Sequence, residues 1–447
     1  MKIVKMSLAA AVLVGASAFA IDNVKVSGNA QLFYATADAG SSKLFDKDAA
    51  AADAGLNLNL SADLAKNSLV TVSAGAGYTV LSTLGLENNL VSGVWGGAHT
   101  ATAPTGASYG SGLGGAKVEN ASWMNEAWVA VSLNALSKST VKVGRMELDT
   151  PLAFTEKWSI EKNTFEAAVL INQDIPDTTL VGAYVGNGNG TETFGDNYNG
   201  TTIFTHNAAF QHSNVQQLGL AVGPVVNQNG NFTTYGTDGA YAVGAINNSF
   251  KPLTAQAWYY DVSKLVQAYW LQADLDAAKL GLAGVTAGVQ YTAAKLDATG
   301  SKEDNVYAVM AGYAMKDTFA AKVSYSAVND NGSLGAAGFN TATMTGASKL
   351  YTEAWWNYGQ VILSGAKSWN VTVTSPVAGL FDAGLYITSV DQKASGDQDM
   401  TEVAVTAGKK FGPLDATLAY VNTSFNNKTA SNMQDSNMVQ AYLTLNF

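Results

Sequence analysis

The chain has no cysteine at all, only one arginine, Arg145, and only three histidines among its 447 residues. Without cysteine there can be no disulfides, thiolate metal sites or cysteine nucleophiles. A lone arginine cannot form a row of guanidinium groups. The histidines, His99, His206 and His212, lie in Gly- and Asn-rich tracts without converging partners, so they read as surface residues rather than catalytic or metal-binding ones. Proline is scarce, at 7. Beyond the first twenty residues no stretch approaches the ~18 consecutive apolar residues of a membrane-spanning helix. The formal charge of −10 leaves no basic face for nucleic acid.

The two ends carry the first positive signals. Lys2 and Lys5 precede an apolar stretch from Leu8 to Val14, and Ala18-Phe19-Ala20 has the small-x-small form of a cleavage site. Residues 1–20 are therefore read as an export leader, and 21–447 as one domain. At the other end Val439, Ala441, Leu443, Leu445 and Phe447 alternate with Gln440, Tyr442, Thr444 and Asn446. Period two marks a strand with one apolar face.

The same alternation recurs along the chain. Leu56, Leu58, Leu60, Ala62 and Leu64 oppose Asn57, Asn59, Ser61 and Asp63, and after the turn at Asn67 Val70, Val72, Ala74, Ala76 and Tyr78 align. Some eighteen such segments can be counted, with sixteen as the alternative. Short connections such as Met315-Lys316-Asp317 and Gly412-Pro413-Leu414 alternate with long Gly-, Asn- and Thr-rich ones, including about 82–120, 187–239 and 329–367. Lipid leaves no backbone group unpaired, so strands can cross it only as a closed barrel. The expected fold is all-β: a transmembrane antiparallel barrel with short turns inside and long loops outside. At 16–18 strands such a barrel is too wide to fill and keeps an aqueous channel.

The chain resembles the Opr-type major outer-membrane porins of epsilonproteobacteria. The likeness is carried by Val143-Gly144-Arg145-Met146-Glu147-Leu148-Asp149-Thr150-Pro151, by Asn163-Thr164-Phe165-Glu166-Ala167-Ala168, and by Trp258-Tyr259-Tyr260-Asp261-Val262 with Gln267-Ala268-Tyr269-Trp270. The resemblance implies an eighteen-stranded barrel in the bacterial outer membrane, embedded in lipid and lipopolysaccharide. It also implies a homotrimer whose third external loop, Leu148–Lys162, folds inward to narrow the pore. Relatives selective for carboxylates use a basic row, which this chain cannot build from arginine.

The candidate constriction is then Asp149, Glu156, Lys157, Glu161 and Lys162, with Arg145 and Glu147 at the root of the loop. Strand parity separately nominates Lys25, Glu126, Lys142, Glu166, Lys322 and Glu402 as pore-lining, because a charge facing mid-membrane lipid costs ~2–4 kcal/mol for Lys or Arg. Trp123, Tyr259 and Trp270 read as an interfacial aromatic girdle. Asp397 and Asp399 offer too few ligands for calcium. The expected function is passive diffusion of small hydrophilic solutes, mildly cation-selective, with no enzymatic activity and no cofactor or metal. The alternative is an adhesin or receptor acting through its external loops. An outer-membrane hydrolase would need a nucleophile beside a wall histidine.

Overall fold

The computed structural model describes residues 21–38, 43–46, 50–82, 84–85, 90, 121–157, 160, 162–189, 232–234, 238–340, 347–392, 399–426 and 435–447. The expected leader, the three histidines, Asp397 and Glu161 lie outside the described residues.

Eighteen strands make the wall. They are β1 (Asp22–Asp38), β2 (Ala50–Lys66), β3 (Val70–Ser82), β4 (Ala121–Leu133), β5 (Ser139–Met146), β6 (Phe165–Asn172), β7 (Thr178–Gly188), β8 (Ala240–Asn247) and β9 (Leu253–Val262). The second half comprises β10 (Val266–Asp276), β11 (Val285–Leu296), β12 (Asp304–Met315), β13 (Phe319–Val328), β14 (Lys367–Val377), β15 (Phe381–Asp391), β16 (Met400–Phe411), β17 (Leu414–Phe425) and β18 (Ser436–Asn446). A two-residue strand, Thr233–Thr234, adds to the upper end of β7. Each strand pairs antiparallel with its sequence neighbour, and β18 pairs with β1 from Asn29↔Asn446 to Asp38↔Asn437, which closes the sheet. Among the described residues no helix is long and apolar enough to cross a membrane. The all-β closed barrel is the architecture that the alternation predicts.

The closing seam ends at a glycine. The N–H of Gly28 donates to the carbonyl of Phe447 at 2.9 Å, and the N–H of Phe447 donates back at 3.0 Å. A Cβ at Gly28 would lie 2.2 Å from the Asn57 carbonyl oxygen and 2.8 Å from the Phe447 ring. The terminal aromatic side chain is seated against bare backbone.

The two faces of the wall separate by register. Val129, Val243, Leu271, Val289, Val323, Val405 and Leu418 are exposed, whereas Asn57, Thr79, Gln290, Ser326, Asn370, Thr388 and Gln440 are buried. Apolar side chains outside and polar ones inside invert the usual arrangement of soluble proteins, as lipid on one side and a lumen on the other require. Exposed Tyr184, Tyr241, Tyr259, Tyr307, Tyr325 and Trp369 form an outer aromatic band toward the long-loop end. Tyr184 and Tyr241 lie 5.1 Å apart, and Tyr307 and Tyr325 lie 6.3 Å apart. Tyr259 belongs to this girdle as expected. Trp123 and Trp270 do not: both face inward, 7% and 0% exposed, and pack against loops inside the barrel.

The connections at the long-loop end are numbered L1 to L9 in chain order. L3 is 147–164 and L7 is 329–366, and both enter the lumen. The sequence leads one to expect this of L3 and to place L7 outside. Apolar packing explains both. Leu148, Leu152 and Ala153 of L3, with Leu334, Phe339, Leu350, Val361 and Ile362 of L7, share one buried cluster with the inward-facing Phe165, Trp258, Tyr260 and Trp270 of the wall.

Candidate functional site

L3 is built as a small hairpin. Thr155 N–H donates to the Leu148 carbonyl (2.8 Å), and Thr150 and Ala153 bond reciprocally around Pro151. The Tyr260 hydroxyl accepts from Leu152 N–H at 3.3 Å and ties the hairpin tip to β9. The return segment is fixed by a bulge in β4. Asn125 is the extra residue between Glu126, opposite Gly77, and Met124, opposite Tyr78, and its carbonyl accepts from the Thr164 hydroxyl at 2.7 Å.

L7 clamps L3 through one asparagine. Asn340 accepts from Phe154 N–H (3.2 Å) and donates to the Phe154 carbonyl (2.9 Å) and to Glu156 (3.0 Å). Lys349 of L7 pairs with Asp149 at 2.5 Å and lies 4.9 Å over the Phe154 ring. The Asp149 side chain is 91% exposed, so its end of the pair is open to solvent.

Facing the hairpin is a charged wall. Lys162 donates to Glu126 at 2.7 Å and also pairs with Glu147, which in turn holds the exposed Lys157. Burial alone would pull the Lys162 ammonium down, but Glu147 and Glu126 together hold it above the usual lysine value. Burial likewise works against Glu147, and the lysines hold its carboxyl below the usual range. Trp128 donates its indole N–H to Glu126 (3.2 Å) and carries the Lys142 ammonium 4.1 Å over its ring. Gly75 leaves room for that indole, because a Cβ there would sit 2.4 Å from it. Lys142 itself makes no ion pair among the described residues.

The structure thus brings Glu126, Lys142, Glu147, Lys157 and Lys162 together, whereas Asp149 of the same loop pairs with Lys349. Glu156 is in the same loop but is buried against Asn340. Lys25 lies on the lumen face opposite Ser61, toward the short-turn end and apart from the loops.

Two nominations are corrected. Arg145 and Glu166 are direct cross-strand partners on the face that carries the exposed Val141, Val143 and Leu170, which is the outer face. They pair with each other at 2.8 Å outside the barrel, with Asn187 donating to Glu166 and Phe232 stacked 4.0 Å from the guanidinium. The parity argument fails here for a physical reason. Phe165 and Ala167, the apolar face of β6, pack on L3 rather than on lipid.

Lys322 and Glu402 do face the lumen, but as anchors for L7. Lys322 donates to the Tyr351 carbonyl (3.0 Å), and Glu402 accepts from Trp356 and Asn357. Sequence reasoning missed Asn340, Lys349 and Tyr351, all in L7. The available signal was the run of Leu350, Tyr351, Trp355, Trp356, Val361, Ile362 and Leu363, too apolar for a solvated external loop.

Similar architecture is found among solved structures. Pseudomonas aeruginosa OccK1 (OpdK) aligns over 95% of this chain and 98% of its own, with a TM-score of 0.68 and 12% identity. Acinetobacter baumannii OccAB1 aligns over 95% and 96% with a TM-score of 0.68 and 13% identity. Pseudomonas aeruginosa OccK8 (OprE) reaches 0.64 at 14% identity, over 95% of this chain and 98% of its own. The fold is that of the Opr/Occ-type outer-membrane porins. No protein-family model and no curated protein matches the chain. The resemblance to porins thus holds at the level of fold, shown by structures from Pseudomonas and Acinetobacter.

Within L7 one carboxyl organises the tip. Glu353 accepts from Ser348 N–H (3.1 Å), the Ser348 hydroxyl (2.5 Å), Ala354 N–H (3.0 Å) and Gly359 N–H (3.0 Å). Burial pushes this carboxyl up to about 7 against those donors, from an ordinary 4.5. A raised acid binds its proton more tightly folded than unfolded. Its contribution to stability is therefore full below pH 4.5 and lost as pH rises through about 7. Hydrogen exchange over 348–359, corrected for the intrinsic rate, is expected to be faster at pH 8 than at pH 5. A flat profile would show that this carboxyl does not titrate there.

Proposed function

We propose that the protein is an outer-membrane porin that passes small hydrophilic solutes and ions by passive diffusion. The reading rests mainly on one observation: a barrel wide enough for an aqueous channel carries two inward loops that bring charged side chains, exposed Asp149 and Lys157 among them, to one constriction. The shared fold with porin structures supports it and favours a non-enzymatic channel in the outer membrane. L7 lies inside the lumen, which removes one of the large loops on which the adhesin reading relied. Export by cleavage after Ala20, contact with lipopolysaccharide and assembly as a homotrimer belong to the same proposal.

The mild cation preference expected from net charge has no counterpart at the constriction. Lys142, Lys157, Lys162 and Lys349 outnumber Glu126, Glu147 and Asp149 there by one charge. Refolded protein in a planar bilayer should show stepwise openings under a salt gradient. A folded, heat-modifiable barrel that never conducts would sink the porin reading. Lys142→Gln removes a lumen cation without a carboxylate partner and should raise the cation-to-anion permeability ratio about twofold. The reversal potential measures this directly.

A further inference from the structure

The seventh loop does more than fill space. Residues 349–357 run inside the lumen from one sector of the wall to another. At the near end the Tyr351 hydroxyl donates to Asp274 of β10 at 2.5 Å, and Tyr351 N–H donates to Gln290 of β11 at 3.1 Å. Gln290 donates back to the Lys349 carbonyl at 2.9 Å, and Lys322 of β13 holds the Tyr351 carbonyl.

At the far end the wall supplies a single carboxylate. Glu402 of β16, 1% exposed, accepts from Trp356 N–H (3.0 Å), Asn357 N–H (2.8 Å) and the Asn357 side chain (2.9 Å). Asn357 also donates to Thr423 of β17 at 2.7 Å. Beside these bonds Trp355 lies 4.7 Å from Tyr386 of β15.

A buried carboxylate is expensive unless its lone pairs are met, and the Trp356 and Asn357 donors that meet those of Glu402 come from L7. Loop and wall therefore need each other. We propose that residues 349–357 form a strap whose seat on Glu402 sets the open cross-section of the channel, with Glu402 and Asn357 as its positioning residues. This rests on the porin reading and deepens it. Glu402 acts by holding the strap, not by presenting charge to passing ions, since its oxygens face loop N–H groups.

The test uses two variants of the full-length protein, each first shown to form a heat-modifiable barrel. Glu402→Gln keeps the shape but, whichever way it turns, sets its amide N–H₂ against at least one loop N–H donor. Asn357→Ala keeps every charge and removes two of the strap's far-end hydrogen bonds. Released straps should raise single-channel conductance on the order of twofold and add open-state fluctuations in both variants. Hydrogen exchange over 349–357 should quicken in both. If Glu402→Gln alters only ion selectivity while Asn357→Ala matches the wild type, Glu402 acts as lumen charge and the proposal fails. It fails equally if neither variant changes conductance or exchange. Should the wild type not conduct at all, the porin reading falls, and unchanged exchange in Asn357→Ala would still overturn the strap. If Glu402→Gln does not assemble, Asn357→Ala alone decides.

Discussion

Gly28→Val is expected to abolish barrel assembly. The substituted side chain would need space already held by the Asn57 carbonyl, 2.2 Å from the position of its Cβ, and by the Phe447 ring at 2.8 Å. Overpacking a core costs typically ~1–3 kcal/mol, because neighbouring side chains can shift. Here the nearer obstacle is backbone, pinned by the β1–β2 ladder at Gly28↔Leu58 and Asn29↔Asn57. The farther one is the chain terminus that bonds Gly28 in both directions. Relief would have to come from parting β1 from β2 at Asn57 and from Phe447 at the seam that closes the cylinder. An open edge in lipid leaves a row of unpaired N–H and C=O groups, which no span tolerates. The readout is the loss of the heat-modifiable band and of all conductance. Gly182→Ala serves as the control. A Cβ there meets nothing within 4 Å, so assembly should proceed normally. A Gly28→Val barrel that assembles as well as the control would show that the seam tolerates movement.

The contrast between Gly28 and the loops explains which parts of the molecule could be read from the chain. The wall was legible because lipid imposes one rule on every strand. Val439 to Phe447, and Leu56 to Leu64, show their outer faces as plainly in sequence as in the structure. That rule breaks where the lumen is not filled with water. Phe165 and Ala167 present an apolar face to L3, so periodicity assigned them to lipid and sent Glu166 inward, the reverse of the register with Arg145. Trp123 and Trp270 look like girdle residues for the same reason. Apolar means lipid-facing only where nothing apolar occupies the barrel. L7 was the hidden occupant. Its length and its flanking Asn and Gly residues suggest an external loop, while its Trp and Leu content reveals its burial. Strand parity sends Lys322 and Glu402 inward, but that they hold L7 depends on contacts across the lumen that no local pattern encodes.

Lys162→Met should shift the channel toward cation selectivity, and by more than Lys142→Gln. Lys162 is the shared cation of two carboxylates, Glu126 and Glu147, and its side chain is only 13% exposed. Removing one partner of a buried pair is costly, ~3–5 kcal/mol when burial is complete. The carboxylates here are 17% and 30% exposed, so water can reach them and the penalty is smaller. The loop should keep its place, because Thr164 still bonds to Asn125 and Asn189 and the L3 hairpin still bonds to Asn340. What changes is the field. Among the described residues Glu126 would keep the Trp128 N–H and Glu147 the exposed Lys157, and the constriction would move one charge toward negative. Screening supplies the check on mechanism. With a Debye length of about 10 Å at 0.1 M and 3 Å at 1 M, the shift in reversal potential should be large in dilute salt and small in concentrated salt. Glu147→Gln should move it the opposite way, since Lys162 keeps Glu126 while Lys157 loses its partner. A reversal potential that both variants leave unchanged in dilute salt would place the selectivity-determining passage elsewhere in the lumen.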